Sequence, residues 1–269
     1  MKAPRFYYII TVQYLGFRYH GWQKQPNLKT VEGMIHKTIK WIVKDQPFKI
    51  LGSGRTDARV SALEAAFELF IDREPIDEEL FLKALNENFP ADIRALSLRK
   101  TDQHFNIINQ AKTKEYLYLF SFGKKNHPFA APFMTNIQHD LNITLMQEAA
   151  RIFEGTHNFT AYCARSNEAT QTTRTLNLCR IEPNVTLSAN FFPKESYQLR
   201  IKGPGFGRYQ VRLIMGALFG IGKGDFTVDF IRETLEENYT QPMTWVAPGS
   251  GLILNSIDFE GGVSSNPSE

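Results

Sequence analysis

Leu51-Gly52-Ser53-Gly54-Arg55-Thr56-Asp57-Ala58-Arg59-Val60 is the stretch on which the reading of this chain turns. Its glycines let the backbone bend sharply, and a guanidinium, a hydroxyl and a carboxylate follow at once. One reading is an ordinary Gly-rich turn in which Asp57 hydrogen-bonds its own backbone. A phosphate cradle is a second, but it needs a Gly-Lys-Ser/Thr ending that this stretch lacks. The third is a catalytic carboxylate, Asp57, presented on a turn. The flanking chain has to choose between them.

Upstream, Tyr7 to Tyr14 is rich in β-formers and predicts an internal strand, followed by a polar, aromatic loop from Gly16 to Pro26. Thr30 is placed to cap a helix running to about Lys44, with Val31, Ile35, Ile39 and Ile42 along one face. Downstream, Ser61 and Glu64 have capping-box spacing, whereas Phe67-Glu68-Leu69-Phe70-Ile71 suits a strand; both readings stay open. Asp77, with Glu78 and Glu79 in the first turn, predicts a helix to about Asn86, and Arg94 to Lys100 a strand. Strand, helix, strand, helix, strand is an α+β unit.

The second half repeats that order in outline. Lys114 to Phe120 predicts a strand, Pro128 to Pro132 a Pro-rich loop, and Leu145, Ala149 and Ile152 a helix ended by Gly155. Strands are expected over Arg174 to Glu182 and Tyr197 to Lys202, helices over Tyr209 to Ile221 and Asp229 to Asn238, and a last strand over Leu252 to Phe259. The chain therefore divides into domains at 1–105 and 106–260, with a disordered tail at 261–269.

At 269 residues the chain exceeds a comfortable single core, and its 42% hydrophobic share suffices for two. The net charge of +3 excludes a polycationic tail. From Lys202 to Lys223 the cations Lys202, Arg208, Arg212 and Lys223 stand without an acid, which suits either a polyanion groove or a solvated face. The two cysteines, Cys163 and Cys179, lack the spacing of a zinc site or a disulfide framework. The apolar run Tyr7 to Val12 is too short for a signal or a membrane span. The chain reads as cytosolic, with no membrane association.

Along the expected helix Tyr209 to Ile221, Val211, Ile214, Met215 and Leu218 take core spacing. Arg212 falls off that stripe, on an edge with Arg208, Gly216 and Phe219. It is either a solvated arginine or one aimed across a cleft, with Gly216 admitting a second segment. Gly203-Pro204-Gly205-Phe206-Gly207 lacks the third glycine of a dinucleotide fingerprint and reads as a tight turn. Tyr116 and Tyr118 share one face of their strand; they are half-buried sheet residues, or one stands in a cleft to stack on a base. His20, His104 and His157 are scattered and sit in no metal-binding motif, so no metal is expected.

Six segments, in order, resemble the TruA-type tRNA pseudouridine synthases: Gly21-Trp22-Gln23-Lys24-Gln25 with Thr30-Val31-Glu32; Gly54-Arg55-Thr56-Asp57-Ala58; Glu115-Tyr116-Leu117-Tyr118; Gly155 to Thr160; Val211 to Leu218; and Ala247 to Leu254. The resemblance implies an α+β fold of two ferredoxin-like domains, with antiparallel sheets joined across a basic central cleft, in a homodimer. It implies isomerisation of uridine to pseudouridine in the anticodon stem-loop of tRNA, without metal or cofactor. Asp57 would be the nucleophile, Arg55 and Arg212 its charged neighbours, and Tyr116 the ring against the flipped base. Arg18, Gln23, Lys24, Arg59, Lys114 and Arg208 are the candidate RNA contacts. The chemistry agrees, because a stacked uridine must leave its stack before its glycosidic bond is reached. Arginines beside a carboxylate also hold it in the ionised form that attacks.

The chain departs from the family pattern beside the nucleophile. Arg59 and Ser61 stand where a glycine and a histidine are usual, Ala65 where a glutamine is, and Lys114 where an arginine is. Phe105-Asn106-Ile107-Ile108 replaces the usual Phe-His-Ala-Arg. Two alternatives follow: the same reaction on a different RNA, or a non-catalytic RNA-binding or RNA-folding protein.

Overall fold

The computed structural model describes residues 4–164 and 171–259. The expected disordered tail at 261–269 lies outside the described residues. In chain order the elements are β1 (Arg5–Tyr14), α1 (Val31–Val43), β2 (Phe48–Gly52), β3 (Ser61–Asp72), α2 (Glu78–Asn88), β4 (Ile93–Thr101), β5 (Ala111–Phe122) and β6 (Thr135–Ile137). There follow α3 (Ile143–Ile152), β7 (Gly155–Asn158), β8 (Thr173–Leu176), β9 (Leu178–Pro183), β10 (Tyr197–Gly203), α4 (Gln210–Lys223), α5 (Val228–Glu233) and β11 (Leu252–Phe259). The class is α+β. The chain forms two compact units, one of residues 4–112 with 254–259 and one of residues 113–253.

In the first unit β1 lies between β4 and β3, antiparallel to both. The far edge of β3 is shared by β2, along Phe67–Ile71, and by β11. A strand paired along both edges buries a near-continuous run, and Ala65, Ala66, Phe67, Leu69 and Ile71 are buried. The capping-box spacing of Ser61 and Glu64 is thereby overruled in favour of a strand. Instead of capping a helix, the Ser61 hydroxyl oxygen accepts the Gly16 N–H at 2.9 Å.

The two helices of this unit start where their caps predict. Thr30 Oγ1 accepts from Gly33 N–H at 3.2 Å, and Asp77 from Leu80 N–H at 2.9 Å. Each pairing satisfies one of the amides that a helix start leaves without an intrahelical partner. Val31, Ile35 and Ile39 of α1 are fully buried, as are the β1 residues Ile10 and Val12. Thr30→Ala is expected to lower unfolding stability by about 1 kcal/mol; a urea midpoint equal to that of the parent chain would show that the cap contributes nothing.

In the second unit β10 pairs antiparallel with both β5 and β9, β6 adds a short parallel pairing to β5, and β7 with β8 forms a separate two-stranded ribbon. Helix α4 is apolar almost all round and is buried over nearly its whole length, as a helix in a core must be. Helix α5 is shorter than the expected Asp229 to Asn238, ending at Glu233. Its next residue, Thr234, donates its hydroxyl to the Ile231 carbonyl at 2.8 Å and meets the Tyr162 hydroxyl at 2.6 Å. A side chain that bonds the backbone this way competes with the next helical turn.

Glu68 on β3 is fully buried. One carboxyl oxygen accepts the Ile107 N–H at 3.3 Å and the other has no partner. Burial pushes its pKa up, against smaller opposing effects from the Ile107 bond and Lys49. The native chain therefore holds this proton more firmly than the unfolded chain. The contribution of Glu68 to stability is full below the ordinary glutamate value of about 4.3 and is lost as pH rises from there through the raised native value. Glu68→Gln is expected to flatten that decline, read as urea midpoints across the acid range; an unchanged slope would show that Glu68 does not set it.

Candidate active site

The Arg55–Asp57 turn leaves the end of β2 and enters β3. Ser53 N–H bonds the Ala66 carbonyl at 3.0 Å where the two strands part. Beyond that the turn is held by the loop from Gly16 to Trp22. Trp22 N–H donates to the Thr56 carbonyl and Arg59 N–H to the Tyr19 carbonyl, both at 3.0 Å; Val60 N–H closes the turn on the Asp57 carbonyl at 3.2 Å. The Thr56 hydroxyl meets the buried Tyr14 hydroxyl at 2.8 Å. Asp57 is half-buried, while Arg55 and Arg59 are exposed. A carboxylate is thus presented from a backbone pinned on both sides by main-chain bonds.

Two glycines make that approach of loop to turn possible. A Cβ on Gly16 would lie 1.9 Å from the Val60 carbonyl oxygen, and one on Gly21 would lie 2.7 Å from that of Thr56. Gly21 also sits at φ 91°, where a side chain is strained. Trp22, buried, packs its ring 6.1 Å from Tyr14 and 6.5 Å from Phe67. Trp22 belongs to a sequence motif, and its hold on the Arg55–Asp57 turn depends on partners distant along the chain.

Arg59 adopts φ 67°, the left-handed conformation that costs a non-glycine residue roughly 1–2 kcal/mol. Glycine would adopt this conformation without that cost. The Arg59 guanidinium lies 5.6 Å from the centre of the Phe17 ring, a cation–π contact of about 0.5–1 kcal/mol that offsets part of the strain.

Arg55 and Asp57 belong to the first unit, Tyr116 and Arg212 to the second. On β5, Tyr116 and Tyr118 share a face as expected and part in environment. Tyr118 is fully buried, with its hydroxyl 2.8 Å from both Thr135 Oγ1 and the Pro248 carbonyl, and burial pushes its pKa up. Tyr116 is half-buried and meets the Phe206 ring edge-to-face at 5.2 Å. Of the two, Tyr116 alone keeps surface for a ligand ring.

Arg212 is fixed in place. Its Nε donates to the Ala247 carbonyl at 2.6 Å, and its guanidinium lies 5.0 Å from the Tyr209 ring centre. The Ala247 N–H returns a bond to the Arg212 carbonyl at 3.1 Å. Gly216, one turn further along α4, lets the chain of Trp245 approach: a Cβ there would lie 2.1 Å from the Trp245 carbonyl oxygen. The expected close approach of a second segment at Gly216 is therefore present, and the segment is Trp245 to Ala247.

The candidate RNA contacts are variously engaged. Arg18 forms a two-pronged ion pair with Asp92, which also accepts the Tyr19 hydroxyl at 2.7 Å. Gln23 donates to Glu32 at 2.9 Å, and the Lys24 backbone N–H does so at 2.6 Å, which leaves the exposed Lys24 ammonium outside that contact. Lys114 is half-buried, and burial pushes its pKa down. Arg208 is exposed, 5.1 Å from the Tyr209 ring centre. Among the described residues no helix is long and apolar enough to cross a membrane, and no three His, Cys, Asp or Glu side chains are placed to hold a metal ion.

Known proteins bear on the same residues. A family model described as tRNA pseudouridine synthase matches residues 10–107 and 149–260. A protein of Aquifex aeolicus named tRNA pseudouridine synthase A is 32% identical over 250 residues, covering 93% of this chain and 98% of that protein. Its namesake in Thermosipho melanesiensis is 35% identical over 255 residues, covering 94% and 99%. A tRNA pseudouridine synthase A 2 of Bacillus thuringiensis is 31% identical over 254 residues, with the same coverage. Matched across both units and through the Arg55–Asp57 turn, the chain belongs to the tRNA pseudouridine synthases, a family of isomerases, as a TruA-type member.

Proposed function

We propose that this protein converts uridine to pseudouridine in the anticodon stem-loop of tRNA, with Asp57 as nucleophile. The observation that carries the reading is the half-buried Asp57 on a turn that main-chain bonds to Tyr19 and Trp22 hold in place. In the reaction the N1–C1′ bond of the uridine breaks and a C5–C1′ bond forms; the proton on C5 passes to solvent and N1 gains one. Attack by Asp57, at C1′ or at C6, needs the ionised carboxylate, and Arg55 and Arg212 are the cations assigned to favour that form. Tyr116 is assigned the face of the extruded base. Arg18, Gln23, Lys24, Arg59, Lys114 and Arg208 are assigned to the RNA, with phosphate the natural partner of the cations. The six-segment likeness supports the anticodon stem-loop as target and a homodimer as the working form.

The test is release of tritium from unmodified tRNA labelled at uridine C5, followed by mapping of the product. Release, with pseudouridine confined to the anticodon arm, is the expected result. Release with pseudouridine elsewhere transfers the activity to another RNA site, and no release from the whole unmodified tRNA pool of the source organism removes tRNA as the substrate, leaving another RNA or a non-catalytic protein. Arg212→Lys is expected to lower kcat/KM by about 100-fold, because an ammonium cannot both bond the Ala247 carbonyl and stay over the Tyr209 ring. Unchanged kcat/KM would take Arg212 out of the site.

A further inference from the structure

Asp92 has no part in the chemistry assigned above, yet it holds the loop on which the Arg55–Asp57 turn leans. It stands in the connection between α2 and β4, one residue before β4 begins. Antiparallel pairing of Ile93 with Tyr14 ties that point to the end of β1. Asp92, the Gly16–Trp22 loop and the Arg55–Asp57 turn all belong to the first unit.

Its hold on the loop has three points. The Asp92 main-chain carbonyl accepts the Leu15 N–H at 3.0 Å. One carboxylate oxygen, Oδ1, accepts the Tyr19 hydroxyl at 2.7 Å and Arg18 Nη2 at 2.8 Å; the other, Oδ2, accepts Arg18 Nε. Arg18 thus spends two of its three guanidinium nitrogens on Asp92 and keeps Nη1 for the RNA. Leu15 and Tyr19 flank a 3₁₀ turn over Gly16–Arg18 that has no side-chain cap of its own. A turn of this kind has poor hydrogen-bond geometry and is weak by itself, and Asp92 clamps it at both ends. Burial raises the Asp92 pKa, but the bonds from Arg18 and Tyr19 outweigh it and hold the group below the ordinary aspartate value. The clamp is therefore charged at neutral pH, and a hydrogen bond to an ionised acceptor is stronger than a neutral one.

Tyr19 carries that hold to the site. Its ring is buried, with the Lys29 ammonium 5.2 Å from the ring centre. Its main-chain carbonyl accepts the Arg59 N–H at 3.0 Å, two residues beyond Asp57. Ring and carbonyl belong to one residue, so a ring that shifts when its hydroxyl loses the carboxylate takes the Arg59 tether with it.

We infer that Asp92 is a positioning residue for the isomerisation: through the Tyr19 hydroxyl it fixes the carbonyl that tethers the turn of Asp57. The role rests on the reading of Asp57 as nucleophile. A second readout, independent of turnover, is exchange of the Arg59 amide proton with solvent, compared with amides of the β1–β3 pairing.

Tyr19→Phe keeps the buried ring and removes only the bond to Asp92. It is expected to lower kcat for tritium release about tenfold, with KM for tRNA within about twofold of the parent. Arg59 amide exchange should rise about tenfold while the β1–β3 amides keep their rates. Asp92→Ala is expected to lower kcat at least as much, and adding Tyr19→Phe to it should lower kcat no further, because both remove the same bond. Asp92→Asn retains an oxygen that accepts the hydroxyl and is expected to stay within about threefold of the parent. A residue that merely stabilised the fold would move the urea midpoint and leave the kcat of the folded protein unchanged.

Parent-like kcat in Tyr19→Phe overturns the inference, as do losses that add in the double variant and an Arg59 amide that exchanges no faster than in the parent. So does an Asp92→Asn as slow as Asp92→Ala. No tritium release by the parent removes tRNA as the substrate instead; faster Arg59 exchange in Tyr19→Phe then still establishes the hold of Asp92 and Tyr19 on the turn.

Discussion

Asp57→Ala is expected to abolish tritium release from C5-labelled tRNA, by a factor on the order of 10⁴ or more, while tRNA affinity stays within about twofold. The split follows from where the residue stands. A main-chain bond from the Val60 N–H to the Asp57 carbonyl closes its turn, and main-chain bonds to Tyr19 and Trp22 hold that turn from both sides. Affinity for RNA rests on phosphate contacts, which a carboxylate does not supply. Asp57→Asn sharpens the test, because it keeps size and polarity and removes only the charge to which the attack is assigned. Turnover of Asp57→Asn within tenfold of the parent would take the nucleophile away from Asp57. Loss of tRNA binding in parallel with turnover would instead make Asp57 a folding residue.

Gly16→Ala has the second large expected effect: a loss of about 3 kcal/mol in unfolding stability, with a fall in kcat in whatever fraction remains folded. The added methyl would lie 1.9 Å from the Val60 carbonyl oxygen and 2.3 Å from its carbon. Both are backbone atoms, which cannot rotate away as the end of a long side chain can. Gly16 also ties the loop down on both sides, through its N–H to Ser61 and its carbonyl to the Tyr19 N–H at 2.8 Å. Since Val60 N–H bonds the Asp57 carbonyl, pushing Val60 away moves the turn that carries Asp57. Gly205→Ala is the control, because a methyl there meets only the far end of Arg174, at 3.9 Å. Thermal unfolding that leaves Gly16→Ala level with Gly205→Ala would show that the loop gives way freely.

Much of the local structure that carries the candidate residues could be read without coordinates. The Gly-Arg-Thr-Asp turn, the tyrosine strand, the arginine helix and the close approach at Gly216 all lie where the residues indicate. What could not be read is what keeps them in place. The Trp22–Thr56 and Tyr19–Arg59 bonds join segments more than thirty residues apart, and no periodicity reports on a partner at that distance. The same limit separates the two tyrosines of β5. Alternation puts Tyr116 and Tyr118 on one face; the Pro248 carbonyl, 130 residues further on, makes Tyr118 a core residue.

Features satisfied within a few residues were settled by amino-acid order alone. The caps at Thr30 and Asp77 are such features, because a helix start leaves bare N–H groups that a nearby side chain can accept. So is the apolar length of α4, which no polar face interrupts. Segments whose local preferences were balanced took their form from distant partners. Ser61 to Asp72 carries both a capping box and a strand pattern; pairing along both edges of β3 fills its backbone bonds and buries Phe67 and Leu69, a gain that one capped helical turn cannot match. Phe48–Gly52 has too few residues to declare itself, and becomes a strand because β3 offers it an edge. The end of α5 belongs to Thr234, whose hydroxyl meets a tyrosine 72 residues away. Local chemistry settles what neighbours along the chain can satisfy, and burial against distant partners settles the rest.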